Sequence, residues 1–144
     1  MKIRKLEKSD KKEFLNLLSQ LTDIGNITDN SFNDRFNDRF NDLSSNKYLD
    51  IYVIIYNSIL VACGTIYIEP KFIHNCGKIA HIEDIVVKKE FRGKGLGKQI
   101  IEHLKKVANL SNCYKIILSC SKKNKFFYEK CGFKNENLEM SFRF

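Results

Sequence analysis

The glycine-rich segment RGKGLGK at positions 92–98 has residue types and spacing suited to chemistry. It follows the apolar run IEDIVV and precedes a stretch with helical spacing of apolar residues. Glycines without a Cβ atom let successive backbone N–H groups approach an anion, and the start of a helix adds unpaired N–H groups and a positive dipole end. The sequence therefore predicts a phosphate site formed by Arg92, Gly93, Lys94, Gly95, Leu96, Gly97 and Lys98.

The glycine spacing excludes two common phosphate loops. A Walker loop needs GxxxxGK followed by Ser or Thr, but Arg92 occupies the first glycine position and Gln99 follows Lys98. The dinucleotide fingerprint GxGxxG is not met, because the three glycines form GxGxG. What remains is R/Q-x-x-G-x-G/A, which suits a pyrophosphate. The alternative from these residues alone is a turn that only reverses the chain.

Two acidic residues, Glu83 and Asp84, interrupt the apolar run before the loop. Charged side chains are costly to bury, and neighbouring residues of a strand point to opposite faces. At least one carboxylate should therefore face whatever covers the sheet, unless this is an exposed edge strand. Further along, the Tyr128 phenol can donate a proton or a hydrogen bond, although packing beside Phe126 and Phe127 is its more ordinary role.

The hydrophobic pattern predicts the elements that position these residues. Strands are expected at 2–6, 51–56, 59–69, 79–87, 114–120 and 138–144. Helices are expected after Asp10, over the FNDR repeat at 32–42, and at 97–109 and 124–132. The order β-α-α-β-β-β-α-β-α-β describes a mixed, mostly antiparallel sheet flanked by helices, an α/β (α+β) fold. With 144 residues and no linker, we expect one domain over 1–144.

The composition of the chain indicates which binding partners and which cellular compartment to expect. The formal net charge of +8 suits anionic partners or a solubilising surface, and its scatter along the chain does not favour nucleic acid. Five cysteines without CxxC spacing or a histidine cluster predict no disulfide framework and no metal site. A reducing, cytoplasmic location is expected, since no apolar run resembles an export signal or a membrane span.

In combination, these segments resemble the GNAT superfamily of N-acetyltransferases, whose acyl-CoA loop has the R/Q-x-x-G-x-G/A form. KFIH at 71–74, HIEDIVV at 81–87, CYKIIL at 113–118 and FYEKCGF at 127–133 are similar to its glucosamine-6-phosphate branch. The resemblance implies a GNAT fold and acetyl transfer from acetyl-CoA to the amine of glucosamine 6-phosphate by direct attack, a step toward UDP-N-acetylglucosamine. It also implies a homodimer with shared active sites and no metal.

The resemblance assigns roles to residues. Tyr128 would protonate the departing CoA sulfur, and Glu83 and Asp84 would bind the sugar and help receive the amine proton. Backbone N–H groups of Ile85, Val86 and Val87 would polarise the thioester carbonyl, and Asn124 would contact CoA. The sugar phosphate would be bound by Thr22, Lys71, Phe72, Ile73, His74, Tyr114, Lys115 and Arg143.

One position departs from the family. Ser119 stands where an acidic residue is usual, so proton handling there must fall to Glu83, Asp84 or water. The alternatives are a GNAT enzyme with a different amine acceptor, a non-catalytic CoA-binding protein and a basic nucleic-acid module.

Overall fold

A mixed five-stranded sheet forms the frame of the protein. The computed structural model describes residues 1–29 and 31–144. Its strands are β1 (Lys2–Lys5), β2 (Leu49–Tyr56), β3 (Ile59–Pro70), β4 (Lys78–Val87) and β5 (Cys113–Ile117). They lie in the order β1-β2-β3-β4-β5. The first four strands are antiparallel, and β5 runs parallel to β4, so the sheet is mixed and mostly antiparallel, as predicted.

Helices cover both faces of this sheet. They are α1 (Lys11–Leu18), α2 (Phe32–Ser45), the single turn α3 (Ile73–Cys76), α4 (Leu96–Leu110) and α5 (Lys125–Lys130). Short 3-10 turns occur at Lys8–Asp10, Lys89–Phe91 and Lys122–Asn124. Among the described residues, no helix combines the length and apolar character needed to cross a membrane.

The core has a layer on each face of the sheet. On one face, Ile101 and Leu104 of α4 pack against Ile66 and Ile82 of the central strands. On the other face, Phe14 and Leu17 of α1 pack against buried residues that include Val53 and Val86. Burial of each such side chain contributes roughly 1.5–3 kcal/mol to the free energy of unfolding. Strands β3 and β4 are therefore apolar on both faces, which explains their nearly continuous apolar sequence.

The FNDR repeat forms a helix, as predicted, but contributes little to the core. Phe32, Phe36 and Phe40 are all only half-buried in α2. Phe36 packs against the cluster around Phe14, and the Lys11 ammonium lies 4.5 Å from the centre of the Phe36 ring. The expected packing of an aromatic stripe against the core is thus partial.

The chain beyond α5 differs from the sequence prediction. The order of elements agrees from β1 to α5, with the short α3 in place of a loop. Residues 138–144, all described, form no strand. A strand needs a neighbouring edge for its backbone hydrogen bonds, and this segment lies off the sheet with Leu138, Met140 and Phe142 exposed by 92%, 93% and 82%. Its alternating pattern is present, but within one chain no edge pairs with it.

Candidate active site

A β-bulge in β4 shapes the centre of the candidate site. Cys63 pairs with Val86 and Thr65 pairs with Glu83, so one residue of β3, Gly64, faces both Asp84 and Ile85. Asp84 takes up the extra length in a left-handed conformation, with φ of 51°. A bulge interrupts the hydrogen-bonding ladder and bends its strand. The ladder is consequently open at Asp84 and Ile85, where the Cys63 thiol donates to the Asp84 carbonyl oxygen at 3.6 Å, while Val86 is back in register with β3.

Gly64 allows the bulge to fit against α4. A Cβ atom added at Gly64 would lie 2.5 Å from Ile85 Cδ1 and 3.0 Å from Leu104 Cδ1. Real Cβ atoms essentially never show the first distance, so the Ile85 side chain would have to move, and the second distance is tighter than most real contacts. The absence of a side chain at this position therefore lets the Ile85 side chain occupy the space between the bulge and α4.

The glycine loop leads directly from β4 into α4. Gly93 and Gly95 have φ of 76° and 78°, a region that side-chain-bearing residues seldom adopt. Gly95 is the residue before the first turn of α4, which begins at Leu96, one residue before the predicted start at 97. Arg92 Nε donates a hydrogen bond of 2.9 Å to the Val87 carbonyl oxygen, which fixes the start of the loop to the end of the strand. Unpaired N–H groups at the start of α4 thus lie beside the bulged strand.

The bulge, the loop and α5 enclose one cleft of about 960 Å³, here termed the main cleft. Of the residues predicted to bind CoA, all except Lys94 line it; the Lys94 ammonium instead lies 4.9 Å from the centre of the Phe91 ring. Of the predicted sugar-binding residues, only Thr22, Glu83 and Asp84 line it. Ser119, which replaces the usual acid, lines it as well.

Tyr128 projects from α5 into this cleft. It is half-buried, with ring centres 4.9 Å from Phe127 and 6.1 Å from Phe133. Burial, with smaller effects from Cys120, Cys131 and Glu83, raises the pKa of the phenol. The aromatic packing considered from the sequence is therefore real, and it also keeps the hydroxyl protonated and facing the cleft.

Glu83 lies next to the bulge. Its pKa is raised by desolvation and by the neighbouring Asp84, and His81 opposes this effect. A carboxyl group with a raised pKa exchanges protons closer to neutral pH than an ordinary glutamate. Acidic and phenolic groups suited to proton transfer thus share one cleft.

The other predicted sugar-binding residues lie elsewhere. The ring of His74 in α3 is 4.3 Å from that of Tyr114, centre to centre, and together Lys71, Phe72, Ile73, His74 and Tyr114 form what we term the far-end cluster. It lies where Pro70, Lys78 and Cys113 pair. Glu83 comes five positions after Lys78 in β4, a distance of about 17 Å at roughly 3.3 Å per residue.

The far-end cluster has a strained backbone. His74, Asn75 and Cys76 have φ of 51°, 56° and 55°. For residues with a Cβ atom, this conformation costs about 1–2 kcal/mol each. Phe72, just before the turn, is 96% exposed. Strain and an exposed aromatic side chain are typical of functional surfaces rather than of simple connections.

Lys115 and Arg143 lie neither in the main cleft nor in the far-end cluster. Lys115 lines a second cavity of about 670 Å³, here termed the side cavity, on the other side of Glu83. Arg143 belongs to the exposed 138–144 segment. In a single chain, the predicted sugar-phosphate ligands are therefore divided among separate places.

Several residues that line the main cleft were missed by sequence reasoning, among them Gln20, Phe91, Cys120, Lys123 and Lys130. The Gln20 side-chain oxygen accepts a hydrogen bond of 2.9 Å from the Lys89 N–H, joining the turn after α1 to the 3-10 turn that precedes the glycine loop. These residues are 69 positions apart, and no local pattern connects them. The basic run SKKNK at 121–125, in contrast, is visible in the sequence beside Asn124.

Comparison with known proteins agrees with this geometry. The model of the Acetyltransferase (GNAT) family matches residues 13–133. The chain therefore belongs to the GNAT acetyltransferase family.

Its relatives are more specific. It is 46% identical to the glucosamine 6-phosphate N-acetyltransferase of Arabidopsis thaliana over 97% of this chain and 94% of that protein. The enzyme of the same name from Candida albicans is 42% identical over 98% of this chain and 94% of that one. The crystal structure of the Arabidopsis enzyme has a TM-score of 0.87, covering 99% and 97% of the two chains. The resemblance seen in the sequence is confirmed.

The bulge makes a specific prediction about Gly64. Gly64→Ala should lower the free energy of unfolding by about 1–3 kcal/mol, because the new methyl group overpacks the space held by Ile85 Cδ1. Thermal or urea unfolding measures this. Ile85→Val removes that Cδ1 atom, so the double variant should lose less stability than the sum of the two single losses. Strictly additive losses would show that the two side chains do not compete.

Proposed function

We propose that this protein transfers the acetyl group of acetyl-CoA to the amine of D-glucosamine 6-phosphate. The attack occurs directly within a ternary complex and gives N-acetyl-D-glucosamine 6-phosphate and CoA. The observation that carries the proposal is the convergence of the bulged strand, the glycine loop and Tyr128 on one cleft. The relatives named for this reaction support the choice of acceptor.

The glycine loop is suited to the pyrophosphate of CoA. Backbone N–H groups around Gly93 and Gly95 and those of the first turn of α4 donate to phosphate oxygens, while Arg92 and Lys98 supply charge. Lys123 and Lys130 extend the basic lining of the cleft toward α5. With the pyrophosphate there, the pantetheine arm follows β4 toward the bulge, where the Ile85 N–H is the proposed donor to the thioester carbonyl. One such preorganised donor contributes about 3–4 kcal/mol to transition-state stabilisation.

Tyr128 is the proposed acid. As the amine nitrogen attacks the carbonyl carbon and the C–S bond breaks, its hydroxyl donates a proton to the departing sulfur. The raised pKa favours this role because the phenol stays protonated at neutral and mildly alkaline pH. The attacking nitrogen then returns a proton to the phenolate.

Glu83 and Asp84 are the proposed contacts to the amine end of the sugar. Because Ser119 has no carboxylate, the raised pKa of Glu83 makes it the better acceptor of the ammonium proton. Asp84, held in the bulge with positive φ, is placed to orient a sugar hydroxyl. Holding amine and thioester together in this way accounts for a large part of such a rate enhancement.

The sugar phosphate is bound in our proposal by residues from two chains. The far-end cluster lies about 17 Å along β4 from Glu83, at roughly 3.3 Å per residue, too far to reach the same small sugar. A homodimer in which the cluster of one chain completes the main cleft of the other brings the predicted ligands together. The apolar residues Leu138, Met140, Phe142 and Phe144, exposed in one chain, and the outer edge of β5 supply surface for such an assembly, which would also bring Arg143 to the phosphate.

The remaining expectations extend this proposal. Residues 1–144 act as one acetyltransferase domain, and the five cysteines, all free thiols, suit the reducing cytoplasm. The product is a precursor for UDP-N-acetylglucosamine.

A thiol-release assay tests the acceptor. With acetyl-CoA, the protein should release CoA rapidly with glucosamine 6-phosphate and far more slowly with glucosamine, a polyamine or a lysine peptide. The charge reversals Lys115→Glu and Arg143→Glu should weaken sugar binding and leave CoA binding intact. Release only with unphosphorylated amines would exclude the proposed acceptor, and CoA binding with no release for any amine would identify a non-catalytic protein.

The acid role predicts the behaviour of Tyr128→Phe. This variant keeps the aromatic packing and removes the proton, so kcat should fall by roughly 10²–10⁴ while both KM values change little. In the wild type, kcat should decline as pH rises through the raised pKa of the phenol, and the variant should lack that decline. Equal losses in kcat and binding, with an unchanged pH profile, would mean that Tyr128 only packs.

A shared site predicts complementation between defective chains. Heterodimers of Tyr128→Phe with His74→Ala contain one site with both defects and one intact site, so they should recover about half of the wild-type turnover in a two-fold dimer. Tyr128→Phe paired with Glu83→Gln is the matched control, since both changes lie in the main cleft and no intact site forms. Recovery in neither pair would mean that each chain builds its site alone.

A further inference from the structure

The proposed reaction leaves one proton to be removed. At neutral pH the amine is an ammonium group with three N–H bonds, and the amide product keeps one. One of the two protons lost ends on the CoA sulfur, and the other must reach solvent in every turnover. Glu83 is the proposed first acceptor, and it must be deprotonated again before the next cycle.

His81 lies on the same strand, two positions before Glu83. Residues i and i+2 of a strand share a face of the sheet, and their Cα atoms lie about 6–7 Å apart, a gap that one water molecule can bridge. His81 lowers the pKa of Glu83, against the larger effects of desolvation and of Asp84, which raise it. His81 and Glu83 both line the side cavity, whereas Glu83 and Tyr128 also line the main cleft. Glu83 thus connects the two spaces.

Glu69 on β3 holds the His81 ring in place. The distance between His81 Nε2 and Glu69 Oε2 is 2.8 Å, and the ring centres of His81 and Tyr67 are 5.8 Å apart. Because a carboxylate accepts, Nε2 carries the hydrogen, which leaves Nδ1 of a neutral imidazole free to take a proton. The side chains of His81 and Glu69 are 27% and 30% exposed, so the pair is open to solvent.

We propose that His81, oriented by Glu69, relays the proton of the sugar ammonium from Glu83 to solvent. Glu83 takes the proton from the ammonium, a water passes it to His81 Nδ1, and the imidazolium then releases that Nδ1 proton to solvent water in the side cavity. Nε2 keeps its hydrogen bond to Glu69 throughout, so the starting tautomer is restored for the next turnover. Imidazole suits this step because it gains and loses protons near neutral pH. The proposal rests on the proposed function. In it, His81 relays a proton and does not contact the substrate.

Other charged groups face the same space and set its electrostatics. Lys71 forms an ion pair with Glu69, and Glu139 acts on Glu83 from the 138–144 segment. The titratable and charged residues that line the side cavity around His81 are Glu83, Lys105, Lys115, Cys120, Lys122, Lys125, Tyr128, Glu129, Cys131, Lys134, Glu136 and Glu139. Among the described residues that line the side cavity, His81 carries the only imidazole.

The test is buffer rescue of two His81 variants. His81→Gln retains a donor to Glu69, and His81→Phe retains the ring against Tyr67, so either variant alone suffices if the other misfolds. With glucosamine 6-phosphate and acetyl-CoA, kcat should fall about tenfold in dilute buffer, below the usual effect of a direct acid or base, with little change in KM. Adding imidazole should restore kcat in the variants and leave the wild type unchanged.

His103→Gln is the matched control. This histidine is on α4, its ring centre is 4.5 Å from that of Tyr52, and among the described residues it lines neither cavity. Its kcat should equal that of the wild type at every imidazole concentration. Variants of His81 with wild-type kcat, or with a loss that imidazole does not repair, overturn the relay. Absence of acetyl transfer by the wild type would instead refute the proposed function.

Discussion

The site depends on a mismatch of one residue between two strands. Between two normally paired positions, β3 has Gly64 alone and β4 has Asp84 and Ile85. The extra residue bends β4 and interrupts its ladder of backbone hydrogen bonds. It also turns the polar Asp84 and the apolar Ile85 toward different neighbours. The sheet continues in register on both sides, so the interruption remains local and is held by the core above and below it. A flexible loop could offer the same groups but not the same fixed positions.

The remaining parts of the site are arranged around that interruption. The same strand that bulges ends at Val87, and its terminal carbonyl is bound by Arg92 before the glycine loop turns into α4. Packing of Phe127 close to Gly97 then sets α5 against the start of α4, since an added Cβ at Gly97 would lie 3.1 Å from the Phe127 ring. The positions of Tyr128, the loop and the bulge are therefore linked through short contacts.

The sequence predicted those features of the site that depend on neighbouring residues. It did not predict those that depend on contacts between residues far apart in the chain. The glycine loop was predicted because its requirement for positive φ is encoded in Gly93 and Gly95 themselves, and the acidic pair stood out within an apolar strand. The left-handed turn at His74–Cys76 contains no glycine that would have indicated positive φ angles there. The separation of the far-end cluster from Glu83 follows from strand register, and the contact of Gln20 with Lys89 follows from how α1 packs. The 138–144 segment has the alternation of a strand, but pairing depends on an available edge as well as on pattern.

That segment also affects how the protein is made. The last strand of the sheet ends at Ile117, so residues 138–144 are not needed to complete it. A newly folded chain thus has its core and carries a row of uncovered apolar side chains. Exposed apolar surface of this kind promotes non-specific association between chains. The yield of soluble protein therefore depends on chain concentration as well as on the stability of the fold.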